Sequence, residues 1–113
     1  MVNKTYIPEK GDLIWLNFNP QTGHEQAGNR PAIVLSPKKY NEKTHLLIAC
    51  PISSKEKGYP FEVPLSGNKI QGVVLADQVK NVDWQKREAI FIEKSKKEDV
   101  LEVLIKLLTI LEH

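Results

Sequence analysis

Short apolar runs alternate with polar turns along most of the chain. Each run has only a few residues and is rich in Val, Ile and Leu, which is typical of β-strands rather than helices. Glycine and proline stand between the runs and mark turns. The predicted strands cover residues 12–18, 31–35, 46–50, 61–65, 72–76 and 89–92.

The apolar spacing changes near the end of the chain, after Ser95. From there, apolar residues recur every three or four positions, which predicts one C-terminal helix whose broad apolar face covers the sheet. Ser95 and Glu98 match a capping box, so the helix is expected to begin there. The apolar residues at helical spacing are Val100, Leu101, Val103, Leu104, Leu107, Leu108 and Leu111.

Five to seven short strands and one terminal helix predict a mainly β fold, a small, partly open barrel with a C-terminal α-helix. The polar stretch 38–44 is expected to be a connection with no more than one helical turn. A chain of 113 residues suits a single domain, which we place at residues 1–110. Residues 111–113 resemble the start of a histidine tag, so Glu112 and His113 are left out of functional reasoning.

Composition narrows the class of protein. With 41% hydrophobic and 27% charged residues, the chain is expected to be globular rather than disordered. Its net charge of +2 is too small to predict a nucleic-acid partner by itself, so a basic surface would require locally clustered lysines. The single cysteine, Cys50, lies in an apolar run, where we expect a buried structural thiol. We therefore expect a cytoplasmic protein, and one without a membrane partner because no stretch is apolar enough to span a bilayer.

A polar loop with two glycines precedes the strand 31–35, and Glu25 and Arg30 bracket most of it. A carboxylate and a guanidinium on a loop anchored by a buried strand suit a functional site. The alternative is an exposed ion pair of little energetic weight. If the strands 31–35 and 46–50 pair antiparallel, Arg30 lies near Ser53. A base, a fixed cation and hydroxyl donors are the groups that phosphodiester transesterification requires.

Other chemistries have less support in the sequence. No pair among His24, His45 and Cys50 has the spacing of metal ligands, so we expect neither a metal nor another cofactor. There is no glycine-rich phosphate loop and no plausible serine, histidine and carboxylate set. A ribonuclease that uses His24 and His45 as acid and base is a further alternative.

Four segments resemble, in order, the MazF/PemK family of toxin ribonucleases. The segments are GDLIW at 11–15, EQAGNRPAIVLS at 25–36, KGYPFEV at 57–63 and LADQVK at 75–80. The resemblance implies an SH3-like barrel with a terminal helix, assembled as a homodimer. It also implies metal-independent cleavage of single-stranded RNA at a short sequence, leaving 2′,3′-cyclic phosphate and 5′-hydroxyl ends. A cognate antitoxin would block the site.

By motif, Glu25 and Arg30 match the catalytic positions of the family, and Ser53 stands where the family usually has threonine. We assign Glu25 as the base, since a guanidinium stays protonated and is better suited to stabilising charge. Ser54 matches a second hydroxyl position. Single-stranded RNA is bound through stacking on aromatic rings and through phosphate and base-edge contacts. The predicted RNA-contacting residues are Trp15, Asn41, Ser54, Lys57, Gln78 and Lys80.

Two readings from other classes compete with the ribonuclease. A protein-binding toxin on the same type of barrel, resembling the CcdB-like gyrase poisons, would act through its C-terminal helix and would not need Glu25 or Arg30. A plain SH3-like interaction module would give no reason for the Glu25, Arg30 and Ser53 set.

Overall fold

The apolar runs form seven strands within residues 6–19, 23, 28–67 and 69–112, which the computed structural model describes. Two α-helices and a short 3₁₀ turn at Ala76–Gln78 complete the described elements. Neither helix is long and apolar enough to cross a membrane. The strands are β1 Asp12–Asn17, β2 Asn29–Val34, β3 Leu46–Ser53, β4 Glu62–Pro64, β5 Val73–Leu75, β6 Lys80–Asp83 and β7 Ile90–Lys94; the helices are α1 Lys38–Thr44 and α2 Lys97–Leu111.

All neighbouring strands pair antiparallel, in the order β4-β5-β3-β2-β1-β7, with β6 added to β3. The long strand β3 joins the two ends of the sheet. Its first half, Leu46 to Ala49, pairs with β6, and its last residues, Ile52 and Ser53, pair with β5. The strand thereby passes from one part of the sheet to the other, which gives the open, barrel-like curvature that the sequence predicts.

Successive side chains of a strand point to opposite faces of the sheet. Strand β1 contributes buried apolar side chains to both faces. Ile14, Leu16 and Phe18 contribute to one apolar cluster, as their alternation predicts, and that cluster includes Trp84. Leu13 belongs to a second cluster, which helix α2 covers with side chains such as Val103. The role of α2 as a lid on the core is therefore confirmed for Val100, Val103, Leu104 and Leu107. Three residues predicted on the same face, Leu101, Leu108 and Leu111, are exposed instead.

The thiol of Cys50 lies in this second cluster and is fully buried, as expected. Burial raises the pKa of the Cys50 thiol to about 12, and the nearby negative charge of Asp77 adds to the shift. A protonated, inaccessible thiol is a packing group and a poor nucleophile.

Two local predictions are wrong. The stretch 38–44 forms the two-turn helix α1 rather than a connection with one turn. The capping box does not form, because α2 begins after Lys96 without a side-chain cap. The Ser95 hydroxyl instead donates to the carbonyl oxygen of Gly11 at 2.6 Å. A long-range partner has displaced the local one, so Ser95 ties the start of α2 to the start of β1.

Candidate active site

Arg30 and Ser53 each stand two residues beyond the last pair that joins β2 to β3. Ala32 lies opposite Pro51 and Ile33 opposite Cys50. Continuing this register by two residues places Arg30, which is half-buried, opposite Ser53. The strand pairing assumed in the sequence analysis is thus confirmed. Glu25, the predicted base, lies outside the described residues.

Ser53 is nearly buried and its hydroxyl takes part in a tight turn. Its Oγ accepts the backbone N–H of Lys55 at 3.1 Å and approaches the Lys55 carbonyl oxygen at 3.4 Å. Such a turn is a common use of serine at the end of a strand. The neighbouring Ser54 is exposed. The two adjacent hydroxyls therefore differ: that of Ser53 is held in a turn, and that of Ser54 faces solvent.

The segment that follows, residues 54–61, connects β3 to β4 and is called the β3–β4 loop below. Every residue in it is exposed. It carries Lys57 and the aromatic ring of Tyr59, which is 60% exposed. A cation and an aromatic face on one exposed loop are suited to single-stranded nucleic acid.

Gln78 and Lys80 lie farther along the sheet, and both are half-buried. Gln78 ends the 3₁₀ turn between β5 and β6, and Lys80 is paired with Ala49. Ala49 precedes Ser53 by four positions in β3, which separates Lys80 from Ser53 by roughly 13 Å along the strand. A contact at Lys80 would therefore involve a different nucleotide from the one at Ser53.

Trp15 lies on β1 opposite Pro31 of β2 and opposite Ile90 of β7. Its side chain is 37% exposed, although much of the strand around it is buried. Because Pro31 follows Arg30 directly, the indole borders the strand that carries the candidate cation. Its placement is compatible with stacking against a base.

Asn41 cannot contact RNA, which corrects the sequence prediction. Its side chain is fully buried. The amide donates to the carbonyl oxygens of Pro8 at 2.8 Å and Ser36 at 3.1 Å, and its Oδ1 accepts the Ser36 hydroxyl at 2.6 Å. The residue joins the N-terminal segment to the β2–α1 connection. The sequence alone does not show whether an isolated polar side chain between two strands faces solvent or buried backbone groups.

The alternative that uses His24 and His45 as acid and base gains no geometric support from His45, and His24 lies outside the described residues. His45 ends α1 in a left-handed conformation with φ 60°. Its ring lies 6.3 Å from that of Trp84, next to a residue that is itself 8% exposed and packed in the core. His45 is separated from Ser53 by the whole length of β3. No group of three or more His, Cys, Asp or Glu within the described part of the chain could hold a metal ion.

Gly72 and Glu62 also shape the site, although the sequence analysis did not assign either residue to it. Gly72 packs so closely against β3 that an added Cβ atom would lie 2.3 Å from the Ser53 carbonyl oxygen. It also borders a shallow cavity of about 320 Å³ whose polar lining includes Ser54, Glu56 and Gln71. Glu62 is the second. It is only 7% exposed, and its carboxylate faces the β3–β4 loop rather than solvent. In an alternating strand Glu62 would face away from Phe61 and Val63, so its burial has no signal in the sequence.

The chain is similar to known proteins of one family. Residues 9–111 match the family model described as PemK-like, MazF-like toxin of type II toxin-antitoxin system. The endoribonuclease toxin MazF of Escherichia coli (strain K12) is 56% identical over 84 residues, which cover 74% of this chain and 76% of that protein.

Solved structures give the same result. The crystal structure of MazF (Form-I) from Deinococcus radiodurans superposes with a TM-score of 0.92 at 49% identity, covering 96% of this chain and 99% of that one. A MazE-MazF structure (Form-II) from the same organism gives a TM-score of 0.82 at 44% identity, covering 94% and 96%. The chain described here therefore belongs to the PemK-like, MazF-like toxin family of type II toxin–antitoxin systems.

Proposed function

We propose that this protein is a sequence-specific endoribonuclease toxin that cleaves single-stranded RNA without a metal ion. The enzyme class is that of its relatives, the endoribonucleases MazF, PemK and ChpB. The observation that supports the proposal most directly is the antiparallel β2–β3 pairing, whose register, continued by two residues, sets Arg30 opposite Ser53. The proposed single-stranded RNA substrate is mRNA, and we therefore propose a cytoplasmic location.

The reaction is an attack of a ribose 2′-hydroxyl on the adjacent phosphodiester. Glu25 takes the proton of that hydroxyl, the bond from O2′ to phosphorus forms, and the bond from phosphorus to O5′ breaks. The departing O5′ takes up a proton from water. The products are a 2′,3′-cyclic phosphate and a 5′-hydroxyl.

Arg30 and Ser53 act on the charge at phosphorus. The guanidinium presents a planar set of N–H donors to two phosphate oxygens and keeps its charge throughout the reaction. Arg30 stands on β2 and Ser53 ends β3, so the sheet would hold both backbones in place before the substrate arrives, which favours electrostatic stabilisation. RNA flanking the cleaved bond would contact Lys57, Ser54 and Trp15 nearby, and Gln78 and Lys80 farther along β3.

The proposed assembly is a homodimer. Helix α2 presents exposed apolar side chains at Leu101, Ile105 and Leu108, which lie on one face at helical spacing. A second copy that covers this face would remove apolar surface from water, which favours association. A cognate antitoxin is the second protein partner, by analogy with the MazE-MazF complexes of Deinococcus radiodurans.

The decisive experiment is incubation of the purified protein with a long RNA in the presence of EDTA, with mapping of the fragment ends. Cuts at one short sequence, with 5′-hydroxyl ends, would support the proposal and supply the recognition sequence. The matched control is an Arg30→Ala variant whose folding is verified by circular dichroism. Intact RNA after treatment with the folded wild-type protein would refute the proposal, and assay of DNA gyrase would then test the competing toxin class.

A further inference from the structure

We propose that Glu62 is a positioning residue whose buried carboxylate holds the β3–β4 loop in the shape in which Lys57 meets RNA. The inference rests on the proposed function, since it assigns a task within the same RNA-binding surface. It concerns the first residue of β4.

The carboxylate of Glu62 accepts hydrogen bonds from two successive backbone N–H groups. Lys57 donates to Oε2 at 3.1 Å and to Oε1 at 3.2 Å, and Gly58 donates to Oε1 at 2.9 Å. Two neighbouring N–H groups can converge on one anion only when the backbone turns sharply between them. Gly58 supplies that turn with φ +78°, a left-handed conformation that glycine adopts without strain.

These bonds are needed because the loop lies outside the strand ladders. Its other described anchors lie nearer its two ends, and two of them are backbone bonds: the carbonyl oxygens of Tyr59 and Phe61 accept the N–H groups of Glu62 at 3.1 Å and of Ala76 at 3.2 Å. The Ser53 hydroxyl accepts the N–H of Lys55 at 3.1 Å, and Lys106 of α2 donates to the carbonyl oxygen of Pro60 at 2.6 Å. Glu62 alone among these anchors reaches the backbone at Lys57. The exposed cation is thereby attached to a fixed backbone although its side chain stands in solvent.

A fixed loop increases affinity, because only a fraction of the molecules with a mobile loop have the loop in the binding conformation. The apparent dissociation constant rises as the fraction of molecules in the competent conformation falls. Loss of the Glu62 carboxylate would lower that fraction and leave the Lys57 ammonium group unchanged. The effect should therefore fall on RNA binding, with the chemical step at saturating RNA nearly unaffected.

The test compares Glu62→Gln with Lys57→Ala on the full-length protein. The ligand is an RNA oligonucleotide that carries the mapped cleavage sequence, with a 2′-deoxy nucleotide at the cut to remove the attacking hydroxyl. We expect Glu62→Gln to raise Kd about fivefold to tenfold with an unchanged salt dependence, since the bound state keeps every phosphate contact. Lys57→Ala should also raise Kd, but should reduce the slope of log K against log salt by about 0.7, the value for one phosphate contact on a single strand.

Asp99 supplies the matched control for a general loss of stability. It too is a carboxylate that is 7% exposed and accepts a loop N–H, that of Ser66 at 3.1 Å, but it holds the connection after β4. Asp99→Asn should lower the melting temperature as Glu62→Gln does, without changing Kd for RNA. In the double variant Lys57→Ala/Glu62→Gln, the Glu62 effect should largely vanish, because the side chain that the loop positions is gone.

Three results would overturn the inference. The first is an unchanged Kd in folded Glu62→Gln. The second is an equal rise of Kd in Asp99→Asn, and the third is a fall in the single-turnover cleavage rate at saturating RNA as large as the change in Kd. If the wild-type protein neither binds nor cleaves RNA, the proposed function itself fails, and this result is distinct from normal wild-type cleavage with an unaffected Glu62→Gln.

Discussion

The Nζ atom of Lys94 lies 2.6 Å from Oδ1 of Asp12, whose side chain is only 2% exposed. The other oxygen of this carboxylate accepts the Tyr6 hydroxyl at 2.8 Å and the backbone N–H of Glu9 at 3.0 Å. A nearly buried negative charge at the start of β1 is thus compensated by the N-terminal segment on one side and by β7 on the other. The cluster joins two distant parts of the chain.

Replacing Lys94 with methionine should destabilise the fold by about 2 kcal/mol, because the buried Asp12 oxygen loses its charged partner. The expected loss of stability lies at the low end of the range for a broken buried ion pair, because the lysine side chain is itself 57% exposed and screened by solvent. Urea unfolding followed by tryptophan fluorescence measures the change. Lys86→Met, at an exposed position, is the control, and a loss in that variant as large as that in Lys94→Met would contradict the explanation.

Alkaline pH should weaken the fold, and Tyr6 should contribute. Burial, and next the hydrogen bond to Asp12, raise the pKa of the Tyr6 hydroxyl above its ordinary value of 10.0. The hydrogen bond to Asp12 likewise raises the pKa of Lys94. Above pH 10 the unfolded chain releases the tyrosine proton while the native state keeps it, so the free energy of unfolding falls as pH rises.

The measurement for this prediction is urea unfolding at pH 8 and at pH 10.5. We expect Tyr6→Phe to be less stable than wild type at pH 8, where the hydrogen bond to Asp12 is lost, but to show a smaller decline between the two pH values. Cys50, with its raised pKa, contributes a decline of the same sign in both proteins. An identical decline in wild type and variant would show that Tyr6 does not titrate differently in the two states.

Asn41→Ala should cost about 3 kcal/mol of stability, because the buried carbonyl oxygen of Pro8 and the hydroxyl of Ser36 lose their partner. RNA affinity of the molecules that remain folded should not change, since the side chain is fully buried. Thermal unfolding and RNA binding below the transition separate the two quantities. A variant of normal stability with reduced affinity would restore Asn41 to the RNA surface.

Glu25→Gln should reduce the rate of RNA cleavage at least about 100-fold, the usual contribution of a positioned general base. The neutral amide has nearly the same shape, so RNA binding should remain close to that of wild type. Single-turnover cleavage of the mapped sequence provides the rate, and the 2′-deoxy oligonucleotide provides Kd. Retention of most of the rate in a folded variant would remove Glu25 from the role of base.

Gly72→Ala should disturb the strand pairing beside the candidate site. The added methyl group would approach the Ser53 carbonyl oxygen to 2.3 Å, and the residue has φ +142°, which suits glycine. We expect a loss of about 2 kcal/mol or more and a fall in cleavage, because Ser53 must shift. Unfolding and single-turnover assays test both. A fully stable and active variant would mean that β5 moves away from β3 at little cost.

The pattern along the chain predicted the strands and the C-terminal helix because each buries apolar side chains with its own periodicity. The apolar face of α2 and the burial of Cys50 followed directly. Element ends were less predictable, since β3 continues to Ser53 beyond the apolar run, and Ser95 prefers the Gly11 carbonyl to its own helix.

The resemblance to the family identified Glu25, Arg30, Ser53 and Lys57 as candidate site residues. It did not identify the residues that organise the surrounding structure. Glu62, Gly72 and Asn41 look alike from sequence: each is a small or polar residue near an apolar run. Their tasks depend on backbone groups that lie 4 to 33 positions away along the chain.

The sequence by itself thus determined the class of fold, the order of the elements and the candidate chemistry, because these depend on local periodicity and residue type. Only the tertiary structure decided which polar groups meet. It set the register of β2 on β3, buried the Asn41 side chain and aimed the Glu62 carboxylate at the β3–β4 loop. The physical reason is that burial and many of these hydrogen bonds join segments distant along the chain, and even the short-range bond from Gly58 to Glu62 forms only because the loop turns back toward β4.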